Sequence, residues 1–155
     1  MKNKLVISFL IFAFVNFAEA LQVDIIGACD PAALLSTAVE LKDDEAVTLG
    51  DLTVKVLNEN HIPFKGSAKG ISQIYDSPIG DHALEVLSPS QMRAYGWCVH
   101  VDNFEPYEMP DKVVITNKVQ KITWFYAYSL NDAGDWKDFC TTAWKERSLS
   151  YCKNP

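Results

Sequence analysis

Four cysteines, Cys29, Cys98, Cys140 and Cys152, limit the folds open to this chain more than any other feature. All four lie beyond a leader-like N-terminal segment. An even number in an exported chain reads as two disulfides formed in an oxidising compartment. Three connectivities are open. The short spacing of Cys140 and Cys152 favours a staple of the C-terminal tail, which leaves Cys29 to pair with Cys98. Pairing Cys98 with Cys140 serves nearly as well if their segments are neighbours, because geometry decides which sulfurs can meet.

The leader has three parts. Lys2 and Lys4 supply positive charge, and Leu5 to Phe17 form an apolar stretch interrupted by Ser8 and Asn16. Ala18-Glu19-Ala20 then places small residues at the −3 and −1 positions of a cleavage site. Residues 1–20 are therefore expected to be a signal peptide cut after Ala20. The stretch is too short to read as a membrane span, and no later run approaches one. Ile26-Gly27-Ala28-Cys29 resembles a lipoprotein acylation site, but Glu19, Gln22 and Asp24 interrupt the apolar approach it needs. The expected product is secreted or periplasmic and not inserted in a membrane.

What remains, residues 21–155, is the length of one domain, with no repeat or linker dividing it. The whole chain is 48% hydrophobic, which excludes a disordered polymer. Its formal charge of −6 argues against nucleic acid as a partner, since phosphate contacts need clustered Lys and Arg. Asp30-Pro31 predicts a short helix or turn, followed by a strand from Thr37 to Lys42. Thr48-Leu49-Gly50-Asp51 has the spacing of a capping box and opens a helix running to about Asn60, with Leu49, Leu52, Val56 and Leu57 on its buried side. Ile71 to Tyr75 and Ala83 to Leu87 are short strands, and Val113 to Ile115 reads as an edge strand. Alternation is clearest in Tyr95 to Val101 and Val119 to Tyr128. Tyr95, Trp97, Val99 and Val101 share one face, with Cys98 and His100 on the other. The second strand carries Ile122, Trp124, Tyr126 and Tyr128 on one face and Phe125 and Ala127 on the other, as a central strand would. The fold class is α+β.

Two motifs add to this. Gly96-Trp97, Val101 and Asp102-Asn103 form a strand and turn, and Ile122-Thr123-Trp124-Phe125-Tyr126 follows. Together with the capped helix, these resemble small exported domains of unknown function that are similar to the C-terminal β-grasp (ubiquitin-like) domain of transcobalamin. The resemblance implies a mixed sheet crossed by one main helix, with the core at about residues 36–130 and residues 131–155 an extension. It also implies a corrinoid as a possible ligand, although the helical domain that completes such a site is not in this chain. Asn103 stands where that family commonly has Gly, a reasonable exchange if the turn needs a positive φ.

Tyr95, Trp97, His100, Trp124 and Tyr126 are the candidate ligand-binding residues. Aromatic faces on adjacent strands can stack on a planar ligand, although large aromatics as readily fill a core. Asp102, Glu105, Glu108 and Asp111 recur every three residues, but Pro106 and Pro110 forbid the helix that would align them, and the spacing matches no calcium loop. Asn131 to Asp135 is turn chemistry. No nucleophile motif is present, and His61, His82 and His100 lack metal-ligand spacing. Trp136, Trp144 and Tyr151 alternate with Lys137, Lys145 and Arg147 in a tail expected to clamp over one sheet face. The expectation is a binding module without catalytic activity or cofactor. It would hold a small ligand, or an envelope protein through an added strand near residues 113–115; the alternative is a structural component of the envelope.

Overall fold

The structure is a computed structural model that describes residues 20–145 and Cys152, so the leader and Tyr151 fall outside the described residues. In chain order the strands are β1 Leu21–Ile26, β2 Ala33–Val39 and β3 Val47–Thr48. Helix α1, Leu49–Glu59, comes next, followed by β4 Phe64–Ser67, β5 Gly70–Ile74, β6 Leu84–Ser88 and β7 Gln91–Val101. The remaining strands are β8 Val114–Ile115, β9 Lys121–Asp132 and β10 Asp135–Thr142. Among the described residues this is an α+β architecture, mostly strands with one α-helix.

Six strands form a mixed sheet in the order β2-β1-β9-β7-β6, with β10 also paired to β9. β1 runs parallel to β9, with Val23 opposite Ile122 and Ile25 opposite Trp124. β7 runs antiparallel to β9 from Gln91↔Asp132 to Val101↔Ile122. Since β7 takes one side of β9 along its length, β1 and β10 share the other. β9 is thus the central strand that its two apolar faces require, and Phe125 and Ala127 are buried as well as Trp124 and Tyr126. At the end of β7, Asp102 and Asn103 adopt φ of 49° and 70°. Val101 and Phe104 exchange both backbone hydrogen bonds across them, so a two-residue turn takes Asn103 where glycine is the usual solution.

The helix begins where the capping pattern places it. The Thr48 hydroxyl accepts from the Asp51 backbone N–H at 3.0 Å. It also donates to the Asp51 carboxylate at 2.7 Å, the shorter acid meeting the hydroxyl directly. The next backbone donors go outward: Leu49 N–H to the Val113 carbonyl and Gly50 N–H to the Pro110 carbonyl, at 2.8 and 2.9 Å. Helix-end donors that would otherwise lack partners therefore anchor the segment before β8. Leu49, Leu52, Val56 and Leu57 bury against Val23, Ile25, Ile122 and Trp124, forming the main core. The β-branched Thr53 fits because its hydroxyl donates to the Leu49 carbonyl and accepts from the Trp124 indole N–H.

Several expectations change. Asp30 does not cap a helix: its carboxylate accepts from Ala32 N–H at 2.7 Å, a local turn that leads straight into β2. Val114 and Ile115 are not an edge of the main sheet but pair with β3, and Ile115 is fully buried. Leu21, Val23 and Ile25 of β1, for which no strand is predicted, are among the most buried members of the main core. The disulfides are Cys29–Cys152 and Cys98–Cys140. The second is a pairing the sequence left open; the tail staple from Cys140 to Cys152 does not form. Two disulfides mark a non-cytoplasmic, oxidising compartment, and no helix among the described residues is long and apolar enough to cross a membrane.

One carboxylate is buried inside the sheet. Asp24 on β1 meets Lys121 Nζ at 2.8 Å and Gln22 Nε2 at 3.0 Å. Burial alone would raise its pKa, but the hydrogen bonds from Lys121, Gln22 and Ser36 outweigh that and hold it below its ordinary 3.8. A lowered folded pKa means stability that is present above the unfolded value and lost as pH falls through the folded one. Asp24→Asn is expected to cost about 1.5–3 kcal/mol at pH 7, the worth of hydrogen bonds to a charged group. The deficit should shrink below about pH 4 in urea titrations, because the wild type loses the same interaction there.

Candidate functional site

The register brings Tyr95 opposite Tyr128, Trp97 opposite Tyr126 and Val99 opposite Trp124, as the alternation predicts. The five candidate residues nevertheless separate. Tyr126 is fully buried and its hydroxyl donates to the Pro78 carbonyl at 2.8 Å. Trp124 is 2% exposed, with its indole N–H on Thr53. These two rings are interior packing. Tyr95 is half-buried and stacks on Tyr126, with centroids 6.1 Å apart. Its hydroxyl donates to Glu85 at 2.6 Å, and burial together with that carboxylate pushes its pKa up to about 12. His100 lies on the opposite face, its ring edge-on to Phe125 at 4.6 Å. It belongs to a different surface from Trp97.

Trp97 keeps a wall on open space. Its N–H donates to the Ser77 hydroxyl at 2.9 Å, and its ring meets Tyr126 edge-to-face at 5.6 Å, which fixes its orientation. Beside it is a cavity of about 270 Å³, into which Trp124 reaches only at its buried rim. Ile71, Met109 and the Cys98–Cys140 bridge complete an apolar wall, and Lys69, Glu105 and Glu108 supply charge. Three parts of its wall are anchored separately. β7 holds Trp97, the disulfide ties β10 to β7, and the helix N-terminus holds Pro110 through Gly50. Pro106 and Pro110 stiffen the loop between.

The acidic run is not gathered into one site. Asp102 accepts from the Gln120 and Lys121 backbone N–H groups at 3.0 and 2.9 Å, which ties the β7 turn to the start of β9. Asp111 lies 3.7 Å from Lys112. Glu105 alone joins a cluster of metal-type ligands, with atoms of Cys98, Cys140 and Glu105 all within 4.8 Å. Both sulfurs are spent in the disulfide, and the thiolate is the form that binds metal. Asn131 accepts from Gly134 N–H at 3.2 Å, confirming a turn. In the tail, Ala143 and Cys152 pack near Tyr126, but Trp136 remains exposed and Lys137 pairs with Asp132 at 2.9 Å.

A larger cavity of about 430 Å³ lies between the β6–β7 and β9–β10 turns. Its lining is Ser, Pro, Ala, Gly, Val, Met and uncharged amides, with no aromatic ring or charge to orient a ligand. The Trp97 cavity is the better candidate. No protein family, curated protein or solved structure matches the chain. Sequence reasoning found Trp97 but not Ile71, Lys69 or Met109, whose approach depends on β5 and the 105–110 loop folding beside β7. In sequence Glu105 and Glu108 stand out only as members of a three-residue acidic repeat, with nothing local to mark the rim of a cavity.

Proposed function

We propose that this chain is an exported, non-enzymatic binding module, cut after Ala20, that holds a small ligand in the Trp97 cavity. The observation that carries this is the cavity itself, an aromatic and aliphatic wall held by β7 and the Cys98–Cys140 bridge, with a few charged groups at its rim. A helix lying over one face of a mixed sheet is in keeping with a β-grasp reading of the fold. The size favours a ligand below the drug-sized class, whose sites run from about 300 to 1,000 Å³. A corrinoid, far larger, does not fit inside. Glu105, the acid nearest the wall, faces a disulfide sulfur rather than a nucleophile, which supports holding over catalysis.

Calorimetric titration and thermal-shift screening against small amphipathic molecules test the proposal. Trp97→Ala is expected to weaken binding at least tenfold, the usual effect of removing a buried aromatic anchor. Met109→Ala, at an exposed position, should weaken it severalfold while leaving the unfolding midpoint unchanged. A full panel without any response would favour the second reading, a component of an envelope assembly. That reading rests on Leu84, Val86 and Leu87, which are exposed on the outermost strand β6.

A further inference from the structure

We propose that the ligand of this cavity is a small organic cation, an amine or amidine carried on an apolar body, with Glu105 as its principal counter-charge; this rests on the cavity being the ligand site. Glu105 Oε1 lies 3.1 Å from Cys140 Sγ. A sulfur in a disulfide has no proton to donate, so among the described residues this carboxylate has neither a hydrogen-bond donor nor a cation. Glu108 has none either. Some carboxylates pair with a cation, as Asp24 does with Lys121 and Glu85 with Arg93, and other exposed acids do not; what sets Glu105 and Glu108 apart is that they stand at the rim of a cavity walled by Trp97. The rim therefore carries two uncompensated acids against the single ammonium of Lys69.

Each alternative ligand class meets a physical objection. An anion would face the excess negative charge. A neutral apolar molecule would use the Trp97 wall but gain nothing from the two carboxylates, which are exposed at the rim. A hard metal ion needs about six oxygen ligands where two acids stand. An organic cation answers both parts of the site: its charge meets Glu105, and its body lies along Trp97, whose ring attracts cations. The indole cannot turn away, because Ser77 and Tyr126 hold it. Binding therefore requires little reordering of the wall.

The test uses the mature chain with both disulfides intact and three probes of one shape: benzylammonium, benzyl alcohol and benzoate. Binding is read by calorimetry and tryptophan fluorescence up to millimolar concentrations. Benzylammonium is expected to bind at least tenfold tighter than either analogue at low ionic strength, and to weaken as salt is raised. Glu105→Gln should remove most of that preference and leave benzyl alcohol unaffected, and Glu108→Gln should remove a smaller part. Equal binding of all three probes, lost in Trp97→Ala, would overturn the cation reading and leave the cavity as a site. Cation binding that ignores Glu105→Gln, Glu108→Gln and Trp97→Ala would place the site elsewhere. No binding by any probe, with the broader screen also negative, would overturn both.

Discussion

Serine at both Cys29 and Cys152 is expected to remove about 4 kcal/mol of stability, within the 2–5 kcal/mol typical of a native disulfide. The bridge spans 123 residues, from just past β1 to the C-terminal segment. The chain-entropy treatment assigns about 5 kcal/mol to a loop of that length and about 4 kcal/mol to the 42-residue span of Cys98–Cys140. Domains of this kind hold about 5–15 kcal/mol in all, so either loss is a large share. The two variants should differ in a second respect. Cys98–Cys140 is part of the cavity wall and Cys29–Cys152 is not, so only the Cys98→Ser/Cys140→Ser chain should also lose ligand affinity. Urea unfolding without reductant, together with titration of each variant, separates the effects. A loss below 1 kcal/mol in both would mean that the sheet and helix alone hold the fold.

Gly50→Ala should destabilise by about 3 kcal/mol, at the upper end of overpacking costs. Helix propensity points the other way, since alanine is better than glycine by about 1 kcal/mol in a helix interior. Packing decides the sign. A Cβ at residue 50 would lie 1.8 Å from the Ala68 carbonyl oxygen and 2.6 Å from its carbon, both backbone atoms in the turn between β4 and β5. Neither can rotate aside, so the helix end and that turn must separate. The same movement strains the Gly50 hydrogen bond to Pro110 and hence the loop that walls the cavity. Gly70 is the control: a Cβ there meets nothing within 4 Å, and Gly70→Ala should shift the urea midpoint little. A higher midpoint for Gly50→Ala would show that propensity outweighs the clash.

Local physics made much of this molecule readable. The Thr48 cap, the alternating faces of β7 and β9 and the left-handed turn at Asp102-Asn103 each depend on residues within a few positions of one another, and all three formed. What escaped depends on distant neighbours. Leu21, Val23 and Ile25 alternate like any strand, but their place beside β9 is set by residues near 122–125. Asp30 offered either a helix cap or a turn, and pairing of β2 with β1 favoured the turn. The cysteine pairing followed from β10, whose Cys140 takes a φ of 53° in the irregular stretch between Lys137 and Thr141 and reaches Cys98. Trp97 and Trp124 look alike in sequence. The helix covers one and leaves the other beside a loop, and no local pattern distinguishes them.

The parallel pairing of β1 with β9 bears on how the protein is made. Gln22 cannot meet Lys121 until roughly a hundred further residues have left the ribosome, because their contact skips that much chain. The helix and the hairpins can assemble early from nearby pieces, whereas closure of the sheet must wait. A nascent chain built this way stays loose while its middle is being made, and tightens in one late step when β9 reaches β1.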